Sequence, residues 1–333
     1  MQFQKLLALA AAGVVLAGCA PAQPSVTASA SASASAPAAP SESGTLTVIT
    51  HDSFALAKES LAKFAAESGY EVKYIAPGDA GTVVNQLVLT KDAPLGDVVF
   101  GIDNTFAGRA LTAGVLSPYV PASLPASAKA LAADEAGSLT PIDYGDVCLN
   151  ADAAWFKAHD LAVPATLDDL VKPEYKDLLV VSNPASSSPG LAFLAATVGA
   201  KGEGYLDYWK ALKANGLKVV KGWTEAYTVE FSGSSGKGDR PLVLSYATSP
   251  AYEPATVALT RACFRQVEYA GVIAGAQNEV GARKFIDFLL SQEVQAQLPE
   301  QMYVYPVSPD VALPEVPLVV DATGLPPARA NSF

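Results

Sequence analysis

Thr45-Leu46-Thr47-Val48-Ile49-Thr50-His51-Asp52-Ser53-Phe54 opens the part of the chain that should fold. Leu46, Val48 and Thr50 alternate along a short strand, and the polar loop His51-Asp52-Ser53 follows it. Beyond the loop, Ala57, Leu61 and Phe64 have the spacing that places them on one face of a helix. Working outward, a second strand is expected over 70–75, a second helix over 82–89 and a third strand over 97–100. That third strand ends in Gly101-Ile102-Asp103-Asn104. Strand alternating with helix predicts an α/β fold with a mainly parallel sheet. Ligand sites on such sheets lie beyond the carboxyl ends of the strands, where these polar loops fall.

The middle of the chain repeats the pattern. Strands are expected over 178–182, 217–220 and 242–246, with a helix over 191–198 and an amphipathic helix over 281–290. The strand ends carry Asn183-Pro184-Ala185-Ser186-Ser187-Ser188-Pro189-Gly190, then Lys221-Gly222-Trp223-Thr224-Glu225-Ala226-Tyr227, then Ala247-Thr248-Ser249-Pro250-Ala251-Tyr252. After Pro306 the chain turns Pro-rich and should run over the surface. Two α/β units with polar and aromatic strand ends suggest two lobes facing each other across a cleft, the natural place for a ligand.

The start of the chain reads as an export signal. Lys5 supplies a positive n-region, and the eleven apolar residues from Leu6 to Leu16 are too few to span a bilayer, which needs about 20. Leu16-Ala17-Gly18-Cys19 resembles the lipobox of bacterial lipoproteins, in which the cut precedes the cysteine and the cysteine is acylated. Stable anchoring needs such multiple acyl chains. An ordinary secretory signal is the other reading of Cys19. Residues 20–43, almost wholly Ala, Ser and Pro, should form a disordered tether. Export leaves Cys148 and Cys263 as an even pair in an oxidising compartment, either bonded or two buried thiols.

Bulk composition excludes some partners. The 333 residues hold 22 Lys and Arg against 33 Asp and Glu, a formal charge of -11. Such a chain repels phosphate backbones, so no nucleic-acid partner is expected. Catalysis has little support: the two histidines, His51 and His159, lack a zinc-ligand spacing, and neither Cys-x-x-Cys nor Gly-x-Ser-x-Gly occurs. The run Ser232-Gly233-Ser234-Ser235-Gly236-Lys237-Gly238 lacks the order of a phosphate loop and reads as a surface loop. No enzyme, cofactor or metal is therefore expected.

The aromatic residues say more. Trp223, Tyr227, Tyr246, Tyr252, Tyr303 and Tyr305 fall at strand ends or in loops, whereas core aromatics normally sit inside periodic apolar runs. Aromatic faces stack on flat rings and attract cations, at roughly 0.5–2 kcal/mol each. Glu225, between Trp223 and Tyr227, either neutralises a cation or is a solvated loop charge.

These residues resemble the thiamine-binding members of the type II periplasmic binding proteins. The resemblance runs from about residue 45 to 310 through Thr50-His51-Asp52-Ser53-Phe54, Gly101-Ile102-Asp103-Asn104, Asp143-Tyr144-Gly145, Ser188-Pro189-Gly190, Lys221 to Tyr227, Leu244 to Tyr252 and Tyr305-Pro306-Val307. It implies a two-lobed protein feeding thiamine or a thiamine phosphate to an ABC permease and its ATPase. Lobe one would comprise 44–145 and 265–333, and lobe two 146–264. The resemblance implies that Trp223, Tyr246, Tyr252 and Tyr303 hold the ring system, with Glu225 and Tyr227 beside them. Asp52, Ser53 and Asp103 would line the lobe-one side, while Ser187, Gly81 and Thr82 would face a phosphate, with Lys221 a candidate counter-charge. The strands crossing between lobes are expected near 143–150 and 264–272, which puts Cys148 and Cys263 beside the hinge.

Two departures stand out. His51 stands where an aromatic is common, and the insertion Ser232 to Gly238 lengthens the loop after Tyr227. Tyr303 lies where the family has an aromatic, more usually Trp. The alternatives within the fold are a ferric-iron or polyamine site, but no adjacent tyrosines occur and only Glu225 sits between aromatics. An anchored cell-envelope enzyme is a more distant alternative. A monomer tethered outside the cytoplasm through Cys19 is the expectation.

Overall fold

The computed structural model describes residues 43–235 and 238–313. The signal segment with Cys19, nearly all of the tether, Gly236, Lys237 and the chain beyond Leu313 lie outside the described residues. Ten strands form one sheet: β1 (Gly44–Ile49), β2 (Tyr70–Ile75), β3 (Val98–Asp103), β4 (Leu116–Ser117), β5 (Thr140–Asp152), β6 (Leu179–Ser182), β7 (Lys218–Val220), β8 (Leu242–Tyr246), β9 (Thr256–Ile273) and β10 (Tyr305–Pro306). Their order is β2-β1-β3-β9-β5-β8-β6-β7, with β10 on β5 and β4 on β9.

The expectation of a mainly parallel sheet holds only at the two ends. β2-β1-β3 and β8-β6-β7 pair in parallel. The long β5 and β9 are antiparallel to each other, to β8 and to β3. These two strands return the chain between the halves, so they cannot share the direction set by strand-helix crossovers. One end of β9 pairs with β3 and the other with the far end of β5, so both strands belong to both halves. Cys148 and Cys263 are disulfide-bonded where β9 bulges between Leu259 and Phe264.

Each half has its own core. Helices Lys58–Ser68 and Glu279–Leu289 pack on one face of β1 and β3 through Phe64, Phe285 and Ile286, and helix Ala80–Leu89 covers the other face with Val83, Val84 and Leu87. In the second half, Phe156, Val181, Phe193, Tyr208, Leu212 and Leu244 form the core, beneath helices Ser188–Lys201 and Tyr205–Ala214. At about 25 cal/mol per Å², burying one such Leu or Phe side chain contributes roughly 1.5–3 kcal/mol.

Three element boundaries differ from the sequence expectation, and each difference matters for the site. β3 runs on to Asp103 instead of stopping at Phe100, because Gly101 takes φ +92° in a bulge that lets the strand continue. A Cβ there would lie 2.1 Å from the His51 ring, so only glycine fits. Ser188-Pro189-Gly190 are the first turn of helix Ser188–Lys201 and not a loop, consistent with proline's tolerance at helix starts. Trp223–Glu225 is a helical turn that passes into a π-helical turn over Ala226–Glu230.

Candidate functional site

Two helix starts meet across the halves. Helix Ala80–Leu89 begins behind Asp79, whose carboxylate accepts from Ala80 N at 2.8 Å. The other Asp79 oxygen accepts from Trp223 N at 3.0 Å, capping the turn in the opposite half. Gly81 N donates to Ser186 O at 2.9 Å, beside the start of helix Ser188–Lys201. A side chain at Gly81 would meet Phe106 at 2.7 Å and Ala185 O at 2.9 Å, so this contact requires glycine. Asp52 accepts from Thr224 Oγ1 at 3.1 Å. Three bonds thus join the lobes along one seam.

Behind the seam lies an aromatic cluster. Trp223 and Tyr227 stack with centroids 4.9 Å apart and planes 12° apart. Tyr303 lies 6.2 Å from Trp223, 5.8 Å from Tyr227 and 5.4 Å from Tyr252. Tyr246 lies 6.5 Å from Trp223. The π-helical turn carries Tyr227 under Trp223, a distortion frequent at functional sites. The Trp223 indole donates to Ser245 Oγ at 3.1 Å, fixing the ring. Tyr303 sits at φ +60° at the end of helix Leu298–Met302, and its carbonyl accepts from Thr248 Oγ1. The Tyr227 hydroxyl is buried, with the Ser249 hydroxyl as its polar neighbour.

The cluster continues into a polar floor. Tyr246 Oη accepts from Gln266 Nε2 at 3.0 Å, and the same amide donates to Glu268 Oε1 at 3.1 Å. Glu268 Oε1 is 3.6 Å from His51 Nε2, and His51 Nδ1 pairs with Ser53 Oγ at 2.9 Å. Asp103 accepts from Thr105 Oγ1 and from Phe106 N. Asp143 is fully buried, and no donor of regular geometry reaches either carboxylate oxygen. Burial pushes Asp103 up to about 6 and Asp143 up to about 7, because a charged carboxylate loses its water there. Burial, reinforced by Asp143, pushes Glu268 well above the carboxylate range.

Of the expected site residues, the structure brings Trp223, Tyr227, Tyr246, Tyr252 and Tyr303 together, and places Asp52, Gly81 and Ser187 along the seam. Ser187 Oγ donates to Ser182 Oγ at 2.8 Å, inside its own loop. Thr82 lies one residue further into the helix start, its amide bonded to Asp79 O. Glu225 is half-buried and accepts from Lys221 N at 3.3 Å, a bond within its own segment. Lys221 is exposed. Tyr305 pairs with Tyr144 at 5.4 Å, apart from the cluster. Asp143 is legible in the sequence only as part of the Asp143-Tyr144-Gly145 motif, with no site role, and Asp79, Gln266 and Glu268 carry no sequence motif. An ionisable residue inside a strand buried on both faces, as in Ile142-Asp143-Tyr144, is the signal that points to them.

A two-lobed sheet with a ring-lined, carboxylate-floored seam is the architecture of a protein that captures a small molecule. Residues 93–320 match the family described as bacterial extracellular solute-binding protein, and the chain belongs to that family. It is 32% identical to the thiamine-binding periplasmic protein of Salmonella typhimurium, over 81% of this chain and 82% of that one. It is 30% identical to the thiamine-binding periplasmic protein of Escherichia coli, with the same shares covered. A solved periplasmic thiamin binding protein superposes with a TM-score of 0.70 at 29% identity, covering 82% of this chain and 86% of that one. The fold is that of the type II periplasmic binding proteins, with the ligand cleft between the lobes.

Proposed function

We propose that this chain captures thiamine, or a phosphorylated thiamine, outside the cytoplasm and delivers it to an ABC permease driven by an ATPase. The carrying observation is the convergence of Trp223, Tyr227, Tyr246, Tyr252 and Tyr303 beside buried carboxyls at the interlobe seam. Thiamine has two flat rings and a permanent positive charge, so it needs aromatic faces to stack on and an anionic group nearby. Names of the relatives point to the same ligand.

In this reading the lobes, 44–145 with 265–333 and 146–264, part at the seam, admit the ligand and close on it. The Asp79, Asp52 and Gly81 bonds would hold the closed form. A phosphorylated ligand would present its anion to the helix starts at Gly81-Thr82 and Ser187-Ser188. Asp79 stands at the same place and opposes a second anion, so unphosphorylated thiamine is the favoured ligand. Acylation of Cys19 would hold the protein at the membrane on the 20–43 tether, as a monomer.

Titration calorimetry with thiamine and thiamine monophosphate tests the reading. Expected is one-to-one binding, weakened about tenfold by Trp223→Ala, since one stacked ring is worth up to roughly 2 kcal/mol. No binding by folded wild-type protein would remove thiamine and leave the solute-binding fold, with ferric iron or a polyamine next to be titrated.

A further inference from the structure

Asp103, Glu268 and Asp143 stand in one row across three adjacent strands. Glu268 on β9 is the register partner of Asp103 on β3 and also of Asp143 on β5. Partners directly opposite in a ladder point to the same face, so the three carboxyls share one side of the sheet. A bulge precedes each flanking acid, between Phe100 and Ile102 on β3 and between Pro141 and Asp143 on β5. Bulges re-aim side chains, and here both converge on Glu268. That face also carries Gln266 and meets Tyr246, so the row forms the floor behind the aromatic cluster.

The floor has too little counter-charge to be fully ionised. His51, from the loop after β1, is the basic group at Glu268, and it stands off at 3.6 Å. Asp79, from the start of helix Ala80–Leu89, adds a further negative charge facing Asp103 and Tyr246. Ser188, from the opposing helix start, offers Asp103 only a hydroxyl. Gln266 Oε1 and His51 Nε2 are buried without hydrogen-bond partners among the described residues, and the Asp143 carboxyl has the Glu268 carboxyl as its hydrogen-bonding neighbour. Two carboxylates side by side at such depth cannot both carry charge cheaply, so the row retains a proton near neutral pH. Burial acts on all three acids in that direction.

We propose that Asp103, Glu268 and Asp143 form a proton-holding floor, and that a cationic ligand seated on it drives one proton from a carboxyl group into solvent. The bond broken is a carboxyl O–H, its electron pair stays on the carboxylate, and the ligand's positive charge takes the proton's place. Net charge in the cleft is unchanged. The inference rests on capture of a cation such as thiamine. It gives the floor a selective role: a neutral ring compound of the same shape has no charge to exchange and leaves the proton in place. It also makes affinity rise with pH, because deprotonation is then supplied by the medium.

Calorimetric titration of the full chain with thiamine, at pH 7 in phosphate and in Tris, reads the exchange directly. The two buffers take up protons with very different enthalpies, so expelled protons appear as a buffer-dependent heat. Expected are release of about half to one proton per thiamine and an affinity that rises between pH 5 and pH 8. Asp143→Asn and Glu268→Gln should each reduce the release, whereas Tyr303→Ala should weaken binding about tenfold and leave it unaltered. Tight binding with buffer-independent heat in wild-type protein would overturn the proton-holding floor and leave thiamine capture standing. Absence of thiamine binding would overturn both.

Discussion

The carboxylate of Asp79 bonds the backbone amide of Trp223 at 3.0 Å, so a residue of one lobe caps the turn that carries the principal ring of the other. The same carboxylate begins its own helix by accepting from Ala80 N. The contact between the lobes and the start of the turn that carries Trp223 therefore rest on one carboxylate.

Replacing Asp79 should loosen the closed form more than it harms the fold. A hydrogen bond to a charged group contributes about 1.5–3 kcal/mol, and loss of a helix cap costs about 1 kcal/mol. Asp79→Ala should speed thiamine release by roughly tenfold or more, followed by stopped-flow tryptophan fluorescence, with Asp79→Asn in between. An unchanged release rate in Asp79→Ala would remove the seam bond from the mechanism.

Tyr303 separates stability from affinity. Its left-handed backbone at φ +60° costs a non-glycine residue about 1–2 kcal/mol. Tyr303→Gly should recover part of that cost, offsetting the lost packing, so that Tm moves little. Thiamine affinity should still fall about tenfold, because the ring 5.4 Å from Tyr252 and 6.2 Å from Trp223 is gone. A large drop in Tm at unchanged affinity would show the ring to be packing alone.

The Cys148–Cys263 bond closes a loop of 115 residues between β5 and β9. Chain-entropy reasoning gives about 3–5 kcal/mol of stabilisation for a loop of that length. The double variant Cys148→Ser with Cys263→Ser should lose stability of that order in urea titration, and reductant should do the same to wild type. Wild-type stability that reductant leaves untouched would argue that the thiols are free.

Asp143 makes stability depend on pH in a calculable direction. Its folded value is raised from 3.8 to about 7 by burial, so the folded state holds the proton more tightly than the unfolded chain does. That contribution is whole below about pH 4 and is lost as pH rises through about 7. Asp143→Asn cannot ionise, so the stability of wild type relative to the variant should fall by a few kcal/mol between pH 4 and pH 8. Parallel stability curves for the two proteins over that range would show that Asp143 does not hold a proton.

What could be read from the sequence was local, and what could not was made by pairing at a distance. The alternation at Leu46, Val48 and Thr50 and the strand ending at Tyr246 are written in consecutive residues, and so are the strand-end aromatics. Trp223 to Tyr227 reads as loop because its cap is Asp79, far away in sequence and in the other lobe. The role of Asp143 and Glu268 is not legible because neither neighbours the other until β5 and β9 pair, with a bulge setting their register. Glu225 illustrates the converse: its place between two rings in sequence suggests a cation partner, yet its carboxylate returns to the Lys221 amide.

The path of β9 also sets the order in which the molecule can assemble. β3 finds its antiparallel neighbour only when residues 268–272 are present, so the sheet of the first lobe stays open at that edge until the second lobe has been made. Closing so long a loop before any contact rewards it is slow, and it leaves an unpaired strand edge exposed meanwhile. A chain built this way stays incompletely folded until residues 268–272 have been made.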